Sequence, residues 1–319
     1  MVVPTYNRVE RLRRVVSALA EQGDADDMEI VVVSDGSVDG TDRYLQAPDL
    51  PANVVAVKQD NAGPAAARNT GVEHARGEIV LFLDDDVVAA PGLVRAHADA
   101  HRRLGDDVVV IGPMLDPPDH PMSPWVRWEQ RMLAKQYAAM QAGQYSATAR
   151  QFYTGNASVR RRHLQAVGGF DPRFRRAEDV ELAFRLRDAG LEFAFVPEAI
   201  GHHYAERSFD AWLANAYQYG RNDMVFGRDL GQRWVLEFVD AKRRQHHPLV
   251  RVAVAVFSPR PRLATALTIA LRPAGRLAGR IGRAALSVMY AVEYYRGVFD
   301  EVGGSRELKE LINRVRSTA

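Results

Sequence analysis

The amino-acid sequence predicts an α/β fold with a doubly wound, mostly parallel sheet, followed by an α+β half and a C-terminal helical appendage. Within residues 1–113, short apolar runs alternate with stretches in which apolar residues recur at helical spacing. Continuous apolar runs are typical of strands that are buried on both faces of a parallel sheet. Short connections between alternating strands and helices indicate right-handed crossovers in a doubly wound sheet.

The elements of this first region follow in order along the chain. The first apolar run is short and ends at Pro4, and Pro64 lies where proline is favoured, in the first turn of a helix. The predicted strands cover residues 2–3, 29–33, 53–57, 79–83 and 108–111, and the predicted helices cover residues 8–20, 41–45, 64–75 and 91–104. Each of the first four strands is therefore followed by a helix.

The pattern changes after Pro113, where a proline-rich loop interrupts the alternation. Beyond it the predicted elements are a helix over 125–141, an extended segment over 152–159, a helix over 178–189 and a strand over 192–196. This order is typical of an α+β region. We therefore expect three segments, which cover residues 1–113, 114–205 and 206–319.

Composition narrows the classes of protein that the chain can belong to. The 319 residues are 47% hydrophobic, which is enough for a sizeable core, and the absence of cysteine excludes disulfides and thiolate chemistry. No run of 18 apolar residues is free of charge, so no transmembrane helix is expected. The net charge of +2 hides an asymmetry, because residues 241–292 hold ten Lys and Arg and no acid. An anionic surface is a fitting partner for that segment, whereas nothing in the sequence predicts a nucleic-acid partner.

Three adjacent carboxylates, Asp84, Asp85 and Asp86, follow the apolar run of residues 79–83. Because burying unpaired charge is costly, all three are expected to emerge at the carboxyl end of the strand, where open α/β sheets bind ligands. Oxygen ligands of this kind suit a hard cation such as Mg²⁺ or Mn²⁺. The alternative is a solvated acidic turn that caps the next helix.

Two other strand ends carry side chains suited to a nucleoside. Tyr6, in the run Pro4-Thr5-Tyr6, can stack on a base, although an ordinary half-buried tyrosine is the alternative. Asp35 can accept a hydrogen bond from an imide N–H, although an Asx turn with the following glycine explains it equally well.

Eight short motifs occur in one order across residues 1–205, and an ordered set is far more specific than any single motif. They are Val3 to Arg8, Val33 to Ser37, Asn61 to Asn69, Leu83 to Asp86, Gly155 to Ala157, Gly168 to Asp171, Glu178 to Leu182, and Pro197 to Ala199 with His203. With these motifs the sequence resembles glycosyltransferase family 2, whose members have the GT-A fold. The resemblance implies that residues 1–113 bind a nucleotide sugar and that residues 114–205 form the acceptor and catalytic half of the same domain.

The resemblance also implies roles for the residues on the donor side. It implies that a nucleoside pocket is formed by Pro4, Thr5, Tyr6 and Asp35. Arg68 would face the nucleotide and pair with phosphate or with the three acids, and Asp85 would contact the nucleotide. Asp84 and Asp86 match the Asp-x-Asp motif, in which Asp86 binds the metal and Asp84 binds ribose or metal. His203 would be the third ligand of a Mn²⁺ or Mg²⁺ cofactor, with His202 as the alternative.

On the acceptor side, the resemblance implies that Asp179 is the general base of an inverting transfer. Glu178 would position Asp179 or touch the acceptor. Without the resemblance, acids in the first turn of a helix are explained by the helix dipole. Asn156, Gly168 and Gly169 would line the donor-sugar and acceptor region, with ordinary turn chemistry as their alternative.

The function that the resemblance implies is metal-dependent transfer of a sugar from a nucleoside-diphosphate donor to a hydroxyl group. A UDP-sugar is the expected donor, and the acceptor would be a glycan, a lipid-linked molecule or a small molecule. Cell-envelope or polysaccharide biosynthesis fits this activity. One alternative is a sugar-phosphate nucleotidyltransferase, but residues 1–15 lack the glycine-rich loop of such enzymes. The other is an inactive binding module, which the filled base, metal and nucleotide positions disfavour.

The C-terminal segment has a pattern of its own, in which arginines and apolar residues recur four apart. The arginines are Arg272, Arg276 and Arg280, and the apolar stripe is Leu277, Ile281 and Ala285. On one helix they would form a basic amphipathic face of the kind that lies on anionic lipid. The alternative is a helical appendage packed on the catalytic domain. We therefore expect a cytoplasmic protein, either free or attached peripherally to the inner face of the membrane.

Overall fold

The computed structural model describes residues 1–23, 28–174 and 176–317. The chain divides into two compact units. The first unit comprises residues 1–120 and 130–205, and the second comprises residues 121–129 and 206–319. We describe each unit by itself.

The first unit contains ten strands and the helices that connect them, among the residues described. The strands are β1 (Val2–Thr5), β2 (Ile30–Asp35), β3 (Val54–Gln59), β4 (Ile79–Leu83), β5 (Val87–Ala89), β6 (Val108–Ile111), β7 (Met114–Leu115), β8 (Asn156–Arg160), β9 (Glu192–Phe195) and β10 (Gly201–His203). The helices are α1 (Val9–Ala20), α2 (Thr41–Tyr44), α3 (Pro64–His74), α4 (Leu93–Leu104), α5 (Pro124–Gln141, in this unit from residue 130), α6 (Arg161–Ala166) and α7 (Glu178–Asp188).

Seven strands form the main sheet in the order β3-β2-β1-β4-β8-β6-β9. All neighbours are parallel except β8, which runs antiparallel to both β4 and β6. The predicted α/β class with a mostly parallel sheet is confirmed. The strand order places β4 at the centre of the sheet, so the residues that follow its carboxyl end lie at the middle of that edge of the sheet.

A second, three-stranded sheet in the order β5-β10-β7 was not predicted. β5 follows the three acids directly and pairs antiparallel with β10, with His203 opposite Val87. This pairing brings His203 next to the residue that follows Asp86. A strand of three residues is too short for its periodicity to be recognised in the sequence.

The core of the first unit forms where the apolar stripe of α1 packs on the sheet. Leu12, Val15, Val16 and Leu19 recur at helical spacing and are all buried. Burial of each such side chain contributes roughly 1.5–3 kcal/mol relative to exposure. The strands above the core are therefore held firmly enough to fix the positions of the residues at their ends.

The second unit is helical in all of its described elements. Its helices are α8 (Phe209–Arg228), α9 (Arg233–Gln245), α10 (Pro248–Phe257), α11 (Pro261–Gly275), α12 (Gly279–Val302) and α13 (Ser305–Ser317). α8 and α12 cross closely, because a Cβ at Gly220 would lie 1.9 Å from the Tyr294 carbonyl oxygen and one at Gly297 would lie 2.0 Å from that of Tyr217. None of the helices in the described ranges is both long enough and apolar enough to cross a bilayer.

The prediction of one continuous basic helix through Arg272, Arg276 and Arg280 is wrong. α11 ends at Gly275, and α12 begins at Gly279, whose φ of +81° lies in the left-handed region. That conformation interrupts a helix and favours glycine. The predicted apolar stripe is also divided, because Ala285 is buried whereas Leu277 and Ile281 are exposed.

Arg272 itself is engaged within the second unit and does not project freely. Its guanidinium lies 4.6 Å from the ring centroid of Phe209 and 3.7 Å from Asp210. A cation over an aromatic face is attracted by the quadrupole of the ring. Arg272 therefore has partners within its own unit.

Candidate active site

The three acids that follow β4 lie in three different environments. Asp85 is buried, 3% exposed, so the expectation that all three acids emerge from the sheet is wrong for this residue. Its carboxylate accepts hydrogen bonds from Thr5 Oγ1 at 2.8 Å and from Arg8 Nη1 at 2.7 Å. Burial raises the pKa of Asp85 to about 6, against the opposing charge of Arg8. A buried acid of this kind is tolerated because it is paired.

The side chains of Thr5 and Asp85 are therefore hydrogen-bonded to each other. Both were predicted to contact the nucleotide, and that role stays a prediction. What the structure shows is a link between the carboxyl ends of β1 and β4, which are neighbouring strands of the main sheet. The link holds the turn on which Asp84 and Asp86 are carried.

Asp86 and His203 come together where β5 pairs with β10. His203 Nε2 lies 3.6 Å from Asp86 Oδ1, and Nη1 atoms of Arg8 and Arg11 each lie 3.5 Å from Asp86 Oδ2. Gln130 Nε2 lies 3.0 Å from His203 Nδ1 and orients the imidazole. Two of the three predicted metal ligands therefore share one position at the sheet edge.

Asp84 is not part of that group. Within the described ranges, no three His, Asp or Glu side chains converge in a way that could hold a metal. A carboxylate and an imidazole are nevertheless both suitable donors for Mn²⁺, and a diphosphate supplies further oxygens. The donor set of Asp86 and His203 thus fits a divalent metal.

Arg68 connects the end of β4 to the start of α7. It is 5% exposed and lies on α3, from which Nη2 donates to Asp84 Oδ1 at 2.8 Å and Nη1 donates to Glu178 Oε1 at 2.7 Å. The charges of Asp84 and Glu178 outweigh the effect of burial, so the pKa of Arg68 is raised. The fork geometry of a guanidinium suits such a double contact. The predicted pairing of Arg68 with the acids at the end of β4 is seen at Asp84.

Asp179 lies one residue after this network, in the first turn of α7. The turn is entered through Ala177, whose φ of +57° is uncommon for a residue other than glycine and is found often near functional sites. Asp179 Oδ1 accepts a hydrogen bond from the Val180 N–H at 2.8 Å. Burial first and the charge of Glu178 second raise the pKa of Asp179 to about 7, although Arg68 opposes the rise. A carboxylate with a pKa near neutrality is well suited to accept a proton.

The predicted nucleoside residues lie at the ends of β1 and β2. Tyr6 is 50% exposed, so its ring is available for stacking. Asp35 is buried, and its carboxylate accepts from Gln59 Nε2 at 2.7 Å and from the N–H groups of Ala62 and Gly63 at 2.8 and 2.9 Å. Asp35 thereby fastens the loop before α3, and contact with a base would use a remaining lone pair.

Asn156 is buried among groups of the protein itself. Its Nδ2 donates to the carbonyl oxygens of Pro113 and Ala199 at 3.0 and 2.7 Å, and its Oδ1 lies 2.9 Å from His97 Nε2. These bonds fill most of the capacity of the amide. A contact between Asn156 and a sugar stays a prediction. The hydrogen bonds that are observed join Asn156 to the loops at Pro113 and Ala199 and to His97 on α4.

Gly168 and Gly169 have φ values of +79° and +69°. A Cβ at Gly169 would lie 2.6 Å from Asn69 Oδ1, and Asn69 exchanges two 2.8 Å hydrogen bonds with the backbone of Phe170. The glycines therefore let this loop approach α3 next to Arg68. Their predicted contact with sugar also stays a prediction.

Sequence reasoning missed Arg8, Arg11 and Gln130. The spacing of Arg8 and Arg11 at the start of a helix was visible and places both on one face. No local signal marks Gln130, because its partner His203 is 73 residues away. Only the packing of α5 identifies it.

The order of the main sheet and the acidic turn after its central strand are typical of the GT-A class of glycosyltransferases. Two solved structures share this fold. One is a mannosyltransferase from Pyrobaculum calidifontis in complex with GDP-Man and Mn²⁺, which superposes with a TM-score of 0.61 at 22% identity over 94% of this chain and 85% of that one. The other is S. aureus TarS residues 1–349 in complex with UDP-GlcNAc, with a TM-score of 0.57 at 16% identity over 95% of this chain and 91% of that one.

The sequence model described as glycosyl transferase family 2 matches residues 1–168, and one described as the N-terminal domain of galactosyltransferase matches residues 134–207. The chain belongs to glycosyl transferase family 2.

Relatives include a validoxylamine A glucosyltransferase of Streptomyces hygroscopicus subsp. jinggangensis, 31% identical over 227 residues that cover 63% of this chain and 54% of that protein. The pre-mycofactocin glycosyltransferase of Mycobacterium tuberculosis is 28% identical over 229 residues, or 69% and 45%. The chain thus spans about half the length of these relatives.

Proposed function

We propose that the protein transfers a sugar, with inversion, from a nucleoside-diphosphate donor to an acceptor hydroxyl, with Asp179 as the general base. The observation that carries the proposal is the Arg68 network, which ties Asp84 on the donor side to Glu178, next to Asp179. The raised pKa of Asp179 supports it. Family membership favours this activity over that of a nucleotidyltransferase.

In the proposed reaction, the acceptor oxygen forms a bond to the anomeric carbon and its proton passes to the Asp179 carboxylate. The bond between the anomeric carbon and the diphosphate oxygen breaks, and the nucleoside diphosphate leaves with the electron pair. Attack on the face opposite the leaving group inverts the anomeric centre. One base is sufficient for this single displacement.

On the donor side, Asp86 and His203 would hold a divalent metal, Mn²⁺ or Mg²⁺. When bound, the metal would neutralise charge on the departing diphosphate. The guanidinium groups of Arg8 and Arg11 each lie 3.5 Å from Asp86 Oδ2, next to the position that the diphosphate would take. Tyr6 and Asp35 would hold the base of the nucleotide, and we propose a UDP-sugar as the first donor to test.

The experiment is a screen of UDP-, GDP- and dTDP-sugars for hydrolysis with Mn²⁺ and with chelator, followed by a screen of acceptors with the active donor. The solved structures of the same fold hold GDP-Man and UDP-GlcNAc, so both nucleotides belong in the panel. We expect metal-dependent release of one nucleoside diphosphate and a product of inverted anomeric configuration by NMR. Formation of a nucleotide sugar from a sugar phosphate and a nucleoside triphosphate would contradict the proposal, and so would a retained configuration.

A further inference from the structure

Exposed apolar side chains are concentrated between residues 249 and 281, in α10, α11 and the start of α12. Seven of the sixteen large hydrophobic residues that are exposed in the described ranges lie between residues 249 and 281, and they are 40% to 72% exposed. They are Leu249, Val252, Val256, Leu263, Ile269, Leu277 and Ile281. In α11 the only buried residues are Ala264 and Gly275. Dense exposure of this kind marks an interaction surface.

Helical spacing places the exposed apolar residues of α10 on one face. Leu249, Val252 and Val256 are three and four positions apart on α10, which is one side of a helix. On α11, Arg262 and Ile269 are seven apart and are both exposed. The turn that joins α11 to α12 adds Leu277, and the first turn of α12 adds Ile281.

Exposed arginines lie among these apolar residues. They are Arg251, Arg262, Arg276, Arg280 and Arg283. None of these five is paired with a carboxylate within the described part of the chain, and residues 241–292 contain no acid at all. A surface that pairs cations with apolar side chains and excludes acids is complementary to an anionic, partly apolar partner.

We propose that the seven apolar residues and these five arginines form one docking surface for an anionic lipid bilayer. We name it the basic–apolar surface. The arginines match lipid phosphates and anionic head groups, and the apolar side chains match the acyl boundary below them. A two-fold contact of this surface with that of a second copy is less favourable, because it would bring arginines against arginines. The proposal is independent of the sugar-transfer activity.

The test is flotation of the full-length protein with two kinds of vesicle, phosphatidylcholine alone and phosphatidylcholine mixed with phosphatidylglycerol. We expect binding only to the phosphatidylglycerol vesicles, and weaker binding at about 0.5 M than at about 0.05 M salt because ions screen the head groups. The double variant R276S/R280S is expected to bind at least tenfold more weakly, since each arginine near anionic lipid contributes roughly fivefold. The matched control R76S/R103S removes two exposed arginines from the first unit and should bind as the unchanged protein does.

The contribution of the apolar side chains to membrane binding is tested with separate variants. Ile269→Ser and Ile281→Ser replace side chains that are each 67% exposed, so the fold should tolerate them, and both should weaken flotation. The control is Val38→Ser, which is 88% exposed in the first unit. Equal binding to both kinds of vesicle, no binding to either at low salt, or a dimer that R276S/R280S converts to a monomer without any change in flotation would each overturn the proposal.

Discussion

Arg68 in the first unit and Arg280 in the second are the same residue type in opposite environments. Arg68 is 5% exposed and donates to Asp84 and Glu178, whereas Arg280 is exposed and has no carboxylate partner in the described part of the chain. The buried guanidinium fixes positions and influences the pKa of a neighbouring acid. The exposed guanidinium contributes only to the field at the surface. Burial, more than residue type, therefore decides whether a charge shapes a site or attracts a partner.

The largest expected effect is on turnover and comes from Asp179→Asn. Removing a general base lowers the rate of transfer by about 10²–10⁴-fold, while donor affinity should stay unchanged because the proposed base acts on the acceptor hydroxyl. Initial rates and calorimetry with the active donor measure the two quantities. The control Asp188→Asn changes an exposed acid at the other end of α7 and should keep its activity. Near-native turnover of Asp179→Asn would place the base elsewhere.

The contrast between Arg68 and Arg280 predicts that substitutions at the two positions change the free energy of unfolding by very different amounts. Arg68→Met leaves Glu178 buried without its cation, and breaking a buried pair in this way typically costs about 3–5 kcal/mol. Arg280→Ser removes an exposed, unpaired cation and should change the free energy of unfolding by less than about 0.5 kcal/mol. Urea unfolding of both variants measures the difference. Equal stabilities would show that the Arg68 network does not hold the site together.

A smaller effect is expected from Gln130→Leu, which acts through His203. The side-chain amide of Gln130 can donate or accept at His203 Nδ1, so it holds the ring with Nε2 towards Asp86. Loss of such a partner typically lowers metal affinity about 10–100-fold. Calorimetry with Mn²⁺ and the nucleoside diphosphate measures this, with Gln141→Leu at the exposed end of α5 as the control. Unchanged Mn²⁺ affinity would remove Gln130 from the site.

The smallest expected effect is the change in the rate of transfer with each unit of pH. A general base must be ionised to accept a proton, and the pKa of Asp179, the proposed base, is raised to about 7. The rate should therefore rise with pH and level off above that value. Below it, the rate should fall about tenfold per pH unit. Because the same pKa lies above that of the unfolded chain, ionisation of Asp179 should also lower stability as pH rises from about 4 to about 7. A flat pH–rate profile between pH 5 and 8 would contradict the assignment.

By itself, the sequence determined most of the first unit and the outline of its site. β4 and β6 lie where their apolar runs predicted, and Arg68 pairs with Asp84 as the resemblance led us to expect. These features are readable because strand and helix periodicities are local, and because residues at the carboxyl ends of adjacent parallel strands share one edge. The contact between Arg68 and Glu178 was not predicted.

Tertiary structure alone decided which of three adjacent acids is buried. Asp85 is enclosed by Thr5 and Arg8, which are about 80 positions away in the chain, and Asp86 meets His203 only because a three-residue strand pairs with β10. The break at Gly279 likewise divided a pattern that looked like one basic helix. Such outcomes depend on packing between distant segments, and no local periodicity encodes the distance between them.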